Sequence, residues 1–105
     1  MLLSCTLFAQ QNRLKPIQSI RFNADVVVKT FDIEDKRDTI EQVMMANFLK
    51  NSEIRQNRSD PEQLKAQALV YREQMIGILG STENYRKAVI AIKQAYEQKQ
   101  AAANP

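Results

Sequence analysis

Histidine and tryptophan are absent from this chain of 105 residues, which also has only one cysteine, two glycines and three prolines. Without histidine, the usual general base near neutral pH and the commonest metal ligand are both missing. A lone Cys5 can neither form an intrachain disulfide nor contribute to a cysteine metal cluster. Glycine stands only at 77 and 80, which excludes both the dinucleotide fingerprint and the P-loop. Carboxylates do cluster at Glu34, Asp35 and Asp38, but acidic residues at such a place suit the first turn of a helix. The sequence predicts no catalytic residue, no cofactor and no metal site, and so a protein that is not an enzyme.

What is abundant points to helix. Ala, Gln, Glu, Lys and Arg are plentiful, 44% of residues are hydrophobic and 26% are charged, so the chain is neither disordered nor membrane-embedded. Its length supports one core and no second one. The formal charge is +3, from 15 basic and 12 acidic residues spread along the chain. A pI near 9.2 raises nucleic acid as a partner. No aromatic stacking cluster and no basic run longer than two residues supports it, so no nucleic-acid partner is expected.

The opening "MLLSCTLFAQQ" is apolar, and no charge precedes Arg13. Leu7-Phe8-Ala9 reads as a cleavage site and Gln10 as the first mature residue. A complete secretory signal needs a positive start and an apolar stretch of about 7–15 residues. Residues 1–9 therefore read as the remnant of a longer signal, residues 10–100 as a single helical domain and residues 101–105 as a frayed tail. The bland alternative is a greasy N-terminus packed on the domain. The expected location is periplasmic or secreted; the alternative is a lipid anchor through Cys5, whose "LLSC" setting matches a lipobox poorly. Spanning a membrane takes about 20 apolar residues, so no integral membrane segment is expected in the mature chain.

Periodicity then divides the domain into about four helices, an all-α bundle or hairpin arrangement. In "SDPEQLKAQALVYREQMIGILG", Asp60 is placed to cap, Pro61 suits the first helical position, and Leu64, Ala68, Tyr71, Met75 and Ile78 draw an apolar stripe ending at Gly80. "STENYRKAVIAIKQAYEQKQ" follows, capped by Ser81 or Thr82, with Tyr85, Ala88, Val89, Ile92 and Tyr96 as its stripe. Upstream, Asp32 is the expected cap of a helix with Ile33, Ile40, Val43, Met44, Asn47 or Phe48, and Ile54 inward. Residues 17–31 read as a helix starting near Pro16, through Ile17, Ile20, Ala24, Val27, Val28 and Phe31. The same segment alternates well enough to be a β-hairpin instead, and three consecutive valines favour strand.

Two junctions carry a resemblance. "FDIEDKR" (residues 31–37) and "ILGSTENY" (residues 78–85) stand where small helical envelope proteins of the Spy/CpxP type have LTxxQ-like motifs, and residues 24–96 resemble that family in rhythm. The junction residues concerned are Phe31, Asp32, Ile33, Leu79, Ser81, Asn84 and Tyr85. Both motifs are degenerate: Glu34 replaces the threonine and Arg37 the glutamine of the first, while Gly80 is inserted and Asn84 replaces the glutamine in the second. The resemblance implies a periplasmic protein acting as an ATP-independent chaperone or an envelope-stress adaptor.

Such a role needs adaptable apolar groups beside positive charge. The candidate client- or partner-binding residues are Met44, Met45, Phe48, Leu49, Met75 and Ile76, with Arg55, Arg58 and Arg72 supplying charge. Adjacent residues sit about 100° apart on a helix, so Met44 and Met45 cannot both face one core. The surplus predicts that at least one of Met45, Leu49 and Ile76 faces solvent or a second subunit. The expected partners are thus an unfolded client or a partner protein, with a homodimer as a further option. The alternative function is a structural homo-oligomeric module with no client.

Overall fold

The computed structural model describes the backbone of residues 2–103 and the side chains of residues 16–103. The readings placed on residues 1–9, including Cys5 as an anchor, concern side chains outside the described residues. Four helices make up the fold, in the order α1 (Leu2–Phe31), α2 (Arg37–Asn57), α3 (Pro61–Leu79) and α4 (Thr82–Ala103). A single 3₁₀ turn, Glu34–Lys36, lies between α1 and α2. There is no strand among the described residues. Each helix packs on its neighbours in sequence, and α1 also packs on α4, which closes the set into a ring.

Residues 17–31 are helical, not a hairpin. Ile20, Ala24, Val27 and Val28 recur at helical spacing and are all buried, so one face of α1 supplies nearly half of the core. The helix runs through Pro16 and does not begin there. Proline removes one backbone donor from a helix but leaves the stripe on either side in phase.

Opposite α1 stand Ile40 and Met44 of α2, Met75 and Leu79 of α3, and Ala88 of α4. Phe31, Ile33, Val43, Met45, Tyr71, Ile78, Tyr85 and Ile92 close over this cluster. No polar or charged residue is buried among the described residues. Ile54 is buried outside this cluster, near the α2–α3 turn, where its carbonyl accepts from the amides of Arg58 (3.3 Å) and Ser59 (2.9 Å).

The turns follow local chemistry, with one correction. Asp60 caps α3, its carboxylate accepting from the Glu62 amide at 3.0 Å, and Pro61 occupies the first turn. Gly80 ends α3 at φ 97°, its amide donating to the Ile76 carbonyl at 2.7 Å. Its lack of a Cβ permits that left-handed backbone. Asp32, expected to cap α2, instead ends α1: it is left-handed at φ 55°, and the next amide, that of Ile33, reaches back to the Val28 carbonyl at 3.0 Å. That bond satisfies the end of α1 and folds Ile33 back onto the core. Lys36 then stands at the start of α2 with no side-chain cap. The segment expected to fray is helical through Ala103, as its alanines favour, although residues 101–103 are exposed.

Candidate interaction surfaces

Both junctions lie at one end of the ring and are joined there. The Lys36 ammonium donates to the Ile78 carbonyl at 3.0 Å, tying the α1–α2 turn to the end of α3. Asn84 spans the other turn: its amide N–H donates to Ser81 Oγ at 3.1 Å, and its side-chain nitrogen donates to the Leu79 carbonyl at 2.8 Å. One residue thereby serves the start of α4 and the end of α3 together. Phe31, Ile33, Leu79 and Tyr85 contribute to the core at this end. These junction residues hold turns and packing.

Arg37 is the electrostatic centre of the same region. Its guanidinium donates to Glu34 through two nitrogens, at 2.6 and 2.8 Å, and to Asp25 of α1 at 2.9 Å. Lys29 pairs with Asp25 from the next turn at 2.9 Å. Hydrogen bonds from Lys29 and then Arg37 hold the Asp25 carboxyl below its ordinary value. Arg37 does the same for Glu34, and in return its own guanidinium is made still harder to deprotonate. The carboxylate run Glu34–Asp38 is thus partly consumed in ion pairing.

The methionine-centred candidates separate. Met44 and Met75 are 6% and 1% exposed and belong to the core, so neither offers a surface. Met44 shares a helix face with Ile40, and Met75 with Leu79, and both faces point into the ring. Met45 and Ile76 are half-buried, whereas Phe48 and Leu49 are 39% and 58% exposed. Arg55, Arg58 and Arg72 are exposed.

Met45, Phe48 and Leu49 come together with α1. Two adjoining hollows run along the outer seam of α1 and α2. One, about 390 Å³, is lined by Ile17, Ile20 and Arg21 of α1 and by Asp38, Glu41, Gln42 and Met45 of α2. The second, about 530 Å³, is lined by Pro16, Ile17, Met45, Phe48, Leu49, Ser52 and Gln56. Sharing Ile17 and Met45, they form one groove, apolar in the middle and polar at both ends. A further hollow of about 340 Å³ at the α1–α2 contact is lined by the apolar groups Ile20, Met44 and Phe48 and by the polar groups Asn23, Asn51, Arg55 and Tyr71. Asn23 Oδ1 is buried there without a hydrogen-bond partner, and burial pushes the Tyr71 phenol up to about 12. Arg55 thus lies outside the apolar groove, beside the lining residues Pro16, Phe48 and Ser52 that the two hollows share.

Arg72 lies elsewhere, in a furrow of about 230 Å³ between α3 and α4 with Thr82, Tyr85, Arg86 and Val89. Sequence reasoning missed several exposed apolar groups: Ile17, Leu69, Val70, Val89 and Ile90. Val89, in the apolar stripe that periodicity draws along α4, is 49% exposed, because Ala88 takes the inward position beside it. The adjacent pairs Leu69–Val70 and Val89–Ile90 carried the same signal as Met44–Met45, since two neighbours cannot share one inward line. Among the described residues, no cluster of three carboxylate or cysteine side chains could hold a metal, and no helix is long and apolar enough to cross a membrane.

No protein-family model, no curated protein and no solved structure matches this chain.

Proposed function

We propose that this protein is a non-enzymatic helical interaction module whose binding surface is the outer α1–α2 seam. In this reading it acts as an ATP-independent chaperone or a stress adaptor in the cell envelope. The observation that carries the proposal is the exposure of Ile17, Phe48 and Leu49 (36%, 39% and 58%) around half-buried Met45 in one groove. A cluster of large apolar side chains left open on a domain with so small a core favours a protein-binding role. Met45 adds a side chain that adapts to varied partners. The envelope location rests on the resemblance of residues 24–96 and on the apolar run ahead of Arg13. A homo-oligomer that buries the same seam is the alternative.

Aggregation suppression of an unfolded client, measured on the full chain and on Leu49→Gln, tests the reading. Leu49→Gln should leave the urea midpoint nearly unchanged while protection falls, because a side chain this exposed contributes little packing. Protection equal to wild type in Leu49→Gln removes the seam from the function. Fusion of the full chain to a reporter that is active only after export tests the location.

A further inference from the structure

We propose, resting on the reading of the α1–α2 seam as a binding surface, that its occupant is an amphipathic helix carrying basic side chains at one end. The shape argues for a helix. On α2 the groove residues Asp38, Glu41 or Gln42, Met45, Phe48 or Leu49, Ser52 and Gln56 recur every three or four positions, so they follow one helix face. From Asp38 to Gln56 that line is about 27 Å long at 1.5 Å per residue, the length of a five-turn helix. Pro16, Ile17, Ile20 and Arg21 of α1 form the other wall along the middle of this line, so that stretch is a trough between two packed helices, the setting in which a third helix seats its ridge of side chains.

The composition of the trough fixes the chemistry of the ridge. Ile17, Met45 and Leu49 form an apolar middle, and Ser52 and Gln56 a neutral polar end. At the opposite end stand Asp38 and Glu41, and neither pairs with a cation within 4 Å among the described residues. Arg21 lines the same end without forming such a pair. A partner helix with apolar residues at i, i+3 or i+4 and i+7 fills the middle, and Lys or Arg at its end meets the two open carboxylates. An acidic segment, in contrast, would set like charges together at that end. The seam therefore selects basic-ended helices, and the charge also fixes which way round they lie.

The test titrates the full chain into two fluorescein-labelled helical peptides of about 18 residues with one leucine stripe, following anisotropy. One peptide carries two lysines at one end and the other two glutamates. The lysine peptide should bind more tightly, on the order of tenfold at low salt, with the difference shrinking as salt rises. E41K should reduce that preference and D38K/E41K should reverse it, while L49Q weakens both peptides alike. Glu41 lies beyond the first turn of α2, so E41K reads the charge without disturbing the helix start that Asp38 favours. Thermal melts confirm that each variant is folded. A preference that D38K/E41K leaves unchanged overturns the proposal. So does binding indifferent to L49Q, or self-association in sedimentation that L49Q abolishes, which would give the seam to a second copy. If helix binding follows these charges while aggregation suppression is absent, only the chaperone reading falls; if clients are protected but neither peptide binds, only the helix assignment falls.

Discussion

The Ser19 and Tyr96 hydroxyls lie 2.6 Å apart, joining α1 to α4 across 77 positions of sequence. The Tyr96 ring also tilts against Phe22, with centroids 4.9 Å apart, so Tyr96→Phe removes the hydroxyl and keeps the ring contact. Each of Ser19→Ala and Tyr96→Phe should cost about 1 kcal/mol in urea unfolding. The double variant should cost clearly less than the two together, because both delete the same bond. Full additivity would mean that the hydroxyls do not interact in solution.

Acid should weaken the fold through the Arg37 cluster. Asp25 and Glu34 are held below their ordinary values of 3.8 and 4.5. Below those values the unfolded chain takes up protons before the folded one does. The stability these pairs contribute is thus complete above the ordinary values, and it is lost as pH falls through the lower folded ones. Arg37→Gln should flatten this acid limb in a series of urea titrations, and high salt should do so partly, since both carboxylates are in contact with solvent.

Alkali should act through Tyr71. Its phenol, ordinarily at 10.0, is pushed up to about 12, chiefly by burial and then by Tyr85. Between those values the unfolded chain loses a proton that the folded chain keeps, so stability falls as pH rises from 10.0 toward 12. Tyr71→Phe should remove that part of the alkaline slope. An unchanged slope would place the phenol in water.

The two glycines should respond with opposite signs. Apart from its chain neighbours and its own helix backbone, neither has a heavy atom within 4 Å of where a Cβ would stand, so crowding decides nothing at either position. Gly80 is left-handed at φ 97°, and Gly80→Ala should destabilise by about 1 kcal/mol. Gly77 sits within α3 in ordinary helical conformation, and Gly77→Ala should stabilise by up to about 1 kcal/mol. Denaturant midpoints moving in the same direction would refute the turn geometry.

Much of the fold was legible because its punctuation is local. Asp60-Pro61 and Gly80-Ser81 act through neighbouring backbone groups, and the sequence alone locates both turns. Asp32 misled because the residue types that cap helices also tolerate the left-handed backbone that ends them. The surface was harder to read. Periodicity shows that Met44 and Met45 cannot both point inward, but which one does depends on where α1 and α3 lie. Arg37 was opaque for the same reason, since Asp25 reaches it from another helix. Val89 was misassigned because Ala88, small and unremarkable in sequence, takes the inward place.

The crowding of ties at one end of the ring has a consequence for how the molecule breathes. Lys36, Asn84 and Arg37 all fasten the end where the two turns meet, together with most of the buried side chains. At the opposite end Ile54 is buried near the α2–α3 turn, and α4 runs out to exposed residues. Partial openings should therefore start at that far end and travel toward the fastened one, as a pair of tongs parts from its tips. Amide protons of Val27–Phe31, Leu79 and Ala88 should exchange with deuterium last, on the timescale of global unfolding, and those of residues 50–58 and 100–103 first.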